Sequence, residues 1–223
     1  KNKYLGTFGN FGTFSFYYSH QITSGEGGMV VTNNKKDYNL LKIMRAHGWD
    51  RDIDRNKKNS KKFNFINMGF NLRPLEVSAV IAKNQLKRLK KFSLIRSSNR
   101  KKIIEKLKKH KNWNDHYQFV VPEKNLEPSW FGLPLLIKKK HLNKKKKIIK
   151  NLNKKGIETR PIISGNFLNQ KAAKIYNLNN ENQKFPNAEY VEKAGFFIGL
   201  HTQKISNKVA EYISVNLLKI GEM

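Results

Sequence analysis

Between Trp130 and Ile163 the chain reads as strand, helix, strand, and that order restricts its fold more than any other feature. Trp130 to Ile137 is a short apolar run, Leu142 to Lys154 carries apolar residues at helical spacing, and Ile157 to Ile163 returns to a β pattern after Gly156. Such a unit belongs to an α/β layer, because the helix can bury its apolar stripe only by packing back on a sheet. With 223 residues the chain is long enough to bury a substantial core.

The rest of the chain fits a mixed α/β plan. Thr13 to Tyr18 alternates small polar with aromatic residues as a half-buried strand does, and Gly28 to Thr32 is a second short strand. Between them Ser19 to Gly27 forms a loop of hairpin size. Asp37 to His47 places Leu40, Leu41 and Met44 on one helix face, with His47 in the C-terminal turn, where a protonated imidazole is favoured, and Gly48 as the stop. Asp50 to Lys62 is polar and reads as a surface excursion. Pro74 suits the first turn of a long helix through Val77, Val80, Ile81 and Leu86, and helical periodicity continues past Phe92 towards Leu107. These helices are expected to connect two domains, residues 1–92 and 93–223. Further helices are expected near Asn187 to Ala194 and Asn207 to Leu218, and no internal repeat or dinucleotide-type glycine motif is present.

Composition removes several kinds of chemistry. The absence of cysteine excludes disulfides, a cysteine nucleophile, thiolate-bound zinc and an iron–sulfur cluster held by the chain's own residues. No apolar run approaches the roughly 20 residues that span a bilayer, and the first residues lack the pattern of a signal peptide, so a cytoplasmic location is expected. The net charge of +29 would ordinarily point to nucleic acid or an anionic membrane. Here the lysines are dispersed, and the longest run, Lys144 to Lys147, reads as the solvated side of a helix. Neither nucleic acid nor a membrane is the expected partner.

Taken alone, His20 in a Gly/Ser loop is open between an ordinary exposed histidine and a proton-transfer group. Its surroundings are more specific. The string from Gly12-Thr13-Phe14-Ser15-Phe16 through Tyr17-Tyr18-Ser19-His20-Gln21 to Gly28-Met29-Val30-Val31-Thr32 resembles the cofactor-lysine loop of the DegT-type sugar aminotransferase and dehydratase family. Ser15 matches the family's serine near the cofactor phosphate, and His20 occupies the position of the Schiff-base lysine. Imidazole cannot form that bond, so the resemblance points to the histidine-bearing 3-dehydratase branch. Two further stretches are similar to the family: Gly69-Phe70-Asn71-Leu72-Arg73-Pro74-Leu75-Glu76 and Gly156-Ile157-Glu158-Thr159-Arg160-Pro161-Ile162-Ile163-Ser164-Gly165-Asn166.

The resemblance implies the C-terminal part of a PLP-dependent, aspartate aminotransferase-like α/β fold, comprising the end of the large cofactor domain and a small C-terminal α/β domain. It places outside this chain the N-terminal half, with the aspartate that meets the pyridine nitrogen. It implies pyridoxal 5′-phosphate or pyridoxamine 5′-phosphate as cofactor, a nucleotide-linked 4-keto-6-deoxy sugar as substrate, glutamate as amino donor and a homodimer. His20 would be catalytic, with Ser15 and Asn71 at the cofactor phosphate, Asn71 reaching that of a neighbouring subunit. Arg160 would meet substrate phosphate and Asn166 a sugar hydroxyl, although Arg160 could equally satisfy carbonyls at a strand end. Without cysteine, the cluster-free subgroup acting on GDP-4-keto-6-deoxymannose is the closer match, and removal of the C3 hydroxyl in deoxysugar or lipopolysaccharide biosynthesis the implied reaction. The alternatives are a sugar aminotransferase, which needs an amine at the site, and a noncatalytic basic binding protein.

Overall fold

The aromatic alternation after Gly12 does become a hairpin. Strand β1 (Gly12–Ser15) runs antiparallel to β2 (Gly28–Val31), with Gly12 opposite Val31 and Ser15 opposite Gly28. Phe16 extends the pairing beyond the regular strand: its N–H donates to the Gly27 carbonyl at 2.9 Å, and its own carbonyl accepts from Ser24 N–H at 2.9 Å. The strand expected through Tyr18 therefore ends earlier, because the chain turns at Tyr17, whose carbonyl accepts from His20 N–H at 3.0 Å. In the computed structural model residues 3–53, 63–178 and 183–219 are described, so part of the Asp50 to Lys62 excursion lies outside them. Two compact units, Lys1–Leu89 and Lys90–Met223, divide the chain.

In the first unit, helix α1 (Lys35–Met44) begins where the Asn34 side chain accepts from the N–H groups of Lys36 and Asp37, at 2.8 and 3.3 Å. It ends three residues before the expected His47, which instead has a left-handed backbone, φ +64°. The turn that replaces the last helical residues is made by Gly48, with φ +83° and its N–H donating to Ile43 O at 2.9 Å. A Cβ on Gly48 would stand 1.6 Å from the Asn67 carbonyl oxygen, and one on Gly69 would stand 2.1 Å from Gly48 N, so two backbone segments cross at glycine. Bridges between Ala46 and Asn71 and between Trp49 and Phe65 continue that contact. Helix α2 (Glu76–Leu86) starts after an extended Leu75, which leaves Pro74 just outside the first turn rather than within it, with Glu76 at the positive end of the helix. None of its residues is buried.

The second unit carries the larger core. Helix α3 (Leu89–Lys109) buries Ile95, Arg96, Asn99, Ile103 and Leu107 along one stripe. Strands β3 (Tyr117–Phe119), β4 (Gly132–Ile137), β5 (Thr159–Arg160) and β6 (Gly195–Gly199) form one antiparallel sheet in the order β3-β4-β6-β5. β4 and β5 each run antiparallel to β6, so they are parallel to one another and the strand–helix–strand unit is split by the last strand. The strand expected over Ile157 to Ile163 shrinks to Thr159–Arg160. Pro161 has no N–H for a ladder, and Ile163 turns away with φ +45°.

Helix α4 (Lys145–Lys154), preceded by a 3₁₀ segment at Lys139–Lys144, buries Ile148 and Leu152. Lys146 and Lys147 are solvated as expected, whereas Lys145 donates to the Glu192 carbonyl at 2.9 Å. A second 3₁₀ turn at Phe167–Asn169 and the short helix α5 (Lys171–Ile175) lead towards helix α6 (Pro186–Ala194). The final helix, α7 (Asn207–Leu218), is capped by the Ser206 hydroxyl, which accepts from Val209 N–H at 3.1 Å. Leu133, Leu135, Ile137, Ile148, Leu152, Phe196 and Ile198 pack in one cluster with Ile103, Leu107 and Leu217. Burial of each such side chain contributes roughly 1.5–3 kcal/mol.

Candidate active site

The β1–β2 hairpin sets the geometry of the first candidate group. Ser15 ends β1 with its side chain at the surface, and its hydroxyl oxygen accepts from Tyr17 N–H at 3.3 Å. That bond tightens the bend that carries His20. The His20 ring is exposed and meets the Tyr17 ring edge-on, with centroids 5.5 Å apart, while Tyr17 contacts Tyr18 at 4.5 Å. The far side of the loop is built from its own backbone: buried Ser24 donates to Glu26 O at 2.6 Å, and Gly25 N–H donates to Thr23 Oγ1 at 3.0 Å. Residues 12–32 contain no lysine, so the hairpin offers imidazole and hydroxyl groups and no amine.

Asn71 belongs to the same unit but to another piece of it, bridged to Ala46 beyond α1. Its backbone is fixed by neighbouring bonds, in which Phe70 N–H donates to Met44 O at 2.6 Å and Leu72 N–H to Arg45 O at 2.9 Å. The Asn71 residue itself is exposed. An amide held at the surface in this way suits an oxygen-rich ligand.

Arg160 and Asn166 lie in the second unit and differ in environment. Exposed Arg160 makes a two-point pairing with Glu158 of its own strand edge, Nη2 at 2.8 Å and Nε at 2.9 Å from Oε1. Asn166 is buried and spends each polar group inside the protein. Its Oδ1 accepts from Leu168 N–H at 3.2 Å, its Nδ2 donates to Glu189 Oε1 at 2.6 Å, and its backbone N–H donates to Glu192 Oε2 at 3.0 Å.

Glu158, Glu189 and Glu192 escaped the reading of the sequence. A signal was present: the chain has 16 acidic residues against 45 basic ones, and Glu189 and Glu192 stand one helical turn apart. Among the described residues no cluster of histidine and carboxylate side chains is arranged to hold a metal ion, and no helix is long and apolar enough to cross a membrane.

The family model described as the DegT/DnrJ/EryC1/StrS aminotransferase family matches residues 1–216. The GDP-4-keto-6-deoxy-D-mannose 3-dehydratase of Escherichia coli is 38% identical over 218 residues, covering 93% of this chain and 54% of its own length. The structure of the E. coli enzyme with bound hydrated PLP superposes with a TM-score of 0.83 at 38% identity, over 97% of this chain and 56% of that one. A GDP-4-keto-6-deoxymannose-3-dehydratase structure with a trapped PLP-glutamate geminal diamine gives 0.81 at 35% identity, over 97% and 56%. The chain thus spans about half the length of the relatives it matches.

Proposed function

Because the chain belongs to the DegT/DnrJ/EryC1/StrS aminotransferase family, we propose that it forms the histidine-bearing portion of a PLP-dependent dehydratase that removes the C3 hydroxyl from a GDP-linked 4-keto-6-deoxy sugar. One observation carries this reading. The Ser15 to His20 hairpin presents an imidazole where an aminotransferase of this family needs an amine, and no lysine lies between residues 12 and 32. The relatives named above act on or bind the corresponding ligands, which supports the assignment.

The donor set fits the cofactor in kind. The Ser15 hydroxyl and the Asn71 amide can donate to phosphate oxygens, Asn71 by this reading towards the site of a second copy in a homodimer. When bound, the cofactor supplies an electron sink for charge developing on the sugar. His20 then accepts a proton at an imidazole nitrogen and, once protonated, returns it to the departing C3 oxygen. Tyr17 keeps the ring edge-on through their contact, which restricts its swing. Arg160 pairs with a diphosphate oxygen through the Nε and Nη2 donors that meet Glu158 Oε1 in the free chain. Glutamate is the amino donor that recharges the cofactor.

The test joins this chain to the N-terminal portion of the E. coli relative and supplies PLP, glutamate and GDP-4-keto-6-deoxymannose in heavy water. Loss of the C3 oxygen with deuterium gained at C3 is the expected result. Transfer of the glutamate nitrogen to a product that keeps its C3 hydroxyl would assign the chain to the aminotransferases instead.

A further inference from the structure

The segment that follows β5 is exposed at Pro161 and Ile163, conformationally unusual and held from one side. Ile163 is 83% exposed with φ +45°, a left-handed backbone that β-branched residues rarely adopt. Conformations of this kind persist where the surroundings fix them, and they gather at binding sites. Two contacts fix this one. Ile162 lies over Gly195, where an added Cβ would meet its Cδ1 at 2.7 Å, and Gly165, with φ +63°, lies so close to α6 that a Cβ would meet that of Glu192 at 2.4 Å.

The second contact is reinforced by two carboxylates. Glu189 and Glu192, three residues apart on α6, face the same way. Glu189 Oε1 accepts from Asn166 Nδ2 at 2.6 Å and from Asn169 Nδ2 at 3.0 Å. Glu192 Oε2 accepts from Asn166 N–H at 3.0 Å and from Asn169 Nδ2 at 2.8 Å. Four hydrogen bonds from two asparagines thus close on one helix face. The bonds from Asn166 and then Asn169 hold the Glu189 carboxyl below the usual carboxylate range. Lys193 on the same helix lies 3.7 Å from Glu189 Oε2, Lys145 from α4 bonds the Glu192 carbonyl at 2.9 Å, and Lys139 and Lys184 line the same hollow as Glu189, Asn166 and Asn169.

We propose that Glu189 and Glu192 are positioning residues whose joint grip on Asn166 and Asn169 fixes the path from Pro161 to Asn166 and thereby aims Arg160 at an anionic ligand. The proposal rests on reading Arg160 as the residue that pairs with the diphosphate. Both glutamates act through the asparagines and the backbone and touch no ligand themselves. Arg160 is the last residue of β5 to pair with β6, opposite Phe197, and Glu158 holds its guanidinium from the preceding side, so the path by which the chain leaves the sheet bounds the other side of where it stands.

The proposal can be tested on the full 223-residue chain by following its ¹⁵N resonances with inorganic pyrophosphate as probe. In the wild type, pyrophosphate should shift the Arg160 Nε signal, and the Asn166 amide should exchange slowly with solvent. Replacing both glutamates by alanine should speed Asn166 exchange by about tenfold or more while β4 and β6 amides keep their protection. The same variant should weaken the Arg160 response by about fivefold. Glutamine at both positions still offers an accepting oxygen to each N–H. It should restore both the Arg160 response and the slow exchange of the Asn166 amide. If Arg160 does not respond to pyrophosphate in the wild type, its anion-binding role fails and the proposal falls with it. If the wild type responds and the alanine variant responds equally, the positioning role alone is overturned. A glutamine variant that responds as weakly as the alanine variant overturns it as well.

Discussion

The rings of His116 and His141 lie 5.1 Å apart, centroid to centroid, with 35° between their planes. His116 Nδ1 and His141 Nε2 are both shut off from solvent and have no hydrogen-bond partner among the described residues. Burial lowers the pKa of each, and the charges of Lys140 and Lys144 lower both further. For His116 the neighbouring His141 adds to that depression, and Asp115, which also pairs with Lys138 at 3.0 Å, opposes it. A histidine whose pKa is lower folded than unfolded takes up its proton more readily in the unfolded chain, so acid favours unfolding. Stability of the second unit is therefore expected to be complete above the unfolded value near 6.5 and to decline as pH falls below it. Denaturant midpoints between pH 8 and pH 5 would show this, and His116→Gln with His141→Gln should flatten the slope. An unchanged slope in that variant removes the pair as its source.

The crossing of Gly48 and Gly69 leaves no room for a methyl group on either. Gly48→Ala also forces a side chain onto φ +83°. Each alanine variant should destabilise the first unit by roughly 1–3 kcal/mol, the usual penalty for overpacking. Trp49 lies next to the crossing and stacks on Phe63 at 5.2 Å, so its near-ultraviolet circular dichroism should weaken. An unaltered Trp49 signal together with unaltered stability would contradict this account.

Tyr117 is buried at the edge of the sheet, its hydroxyl donates to Leu217 O at 2.9 Å, and burial pushes its pKa up. Removing only that oxygen in Tyr117→Phe leaves a buried carbonyl short of a donor. The expected loss is about 1–3 kcal/mol, read from urea unfolding. A smaller loss would mean that Leu217 O finds another donor.

How far such features could be read in advance depended on how locally they are encoded. Helix α7 combines a Ser206 cap with apolar periodicity and appears at its expected bounds. By contrast, β6 follows Ala194 of α6 with no intervening turn residue beyond Gly195, and a five-residue apolar stretch adjoining a helix resembles more helix. β3 has only three residues and is defined by its partner β4 rather than by its own pattern. At the candidate site, the hairpin that carries Ser15 and His20 was legible because it is continuous in sequence. The links from Asn166 to Glu189 and Glu192 span 23 and 26 residues and exist only once α6 has packed.

In the first unit the apolar surface is unusually open: Met68, Leu72, Leu75, Val77 and Val80 are 87, 66, 72, 69 and 67% exposed. Apolar side chains left this open promote association. The isolated chain should sediment as concentration-dependent oligomers and bind an apolar dye. Val77→Glu with Val80→Glu should reduce both, and a chain that stays monomeric at high concentration would refute the expectation.

In the joined polypeptide described above, His20→Lys should convert the hairpin from imidazole to amine chemistry. The variant is expected to turn yellow with pyridoxal phosphate, to be fixed in that form by borohydride, and to lose C3 deoxygenation by at least about a hundredfold, the scale of a missing acid–base group. Full dehydratase activity in the lysine variant would show that His20 is not the proton carrier.

The placement of β6 between β4 and β5 makes the second unit depend on the order in which a ribosome delivers it. Until residues 195–199 emerge, β4 has a partner only in β3 and β5 has none, although both are already made. Their unpaired edges must wait through the synthesis of the 34 residues that separate Arg160 from Gly195. A nascent chain halted before Gly195 would hold every other strand of this sheet and still be unable to close it.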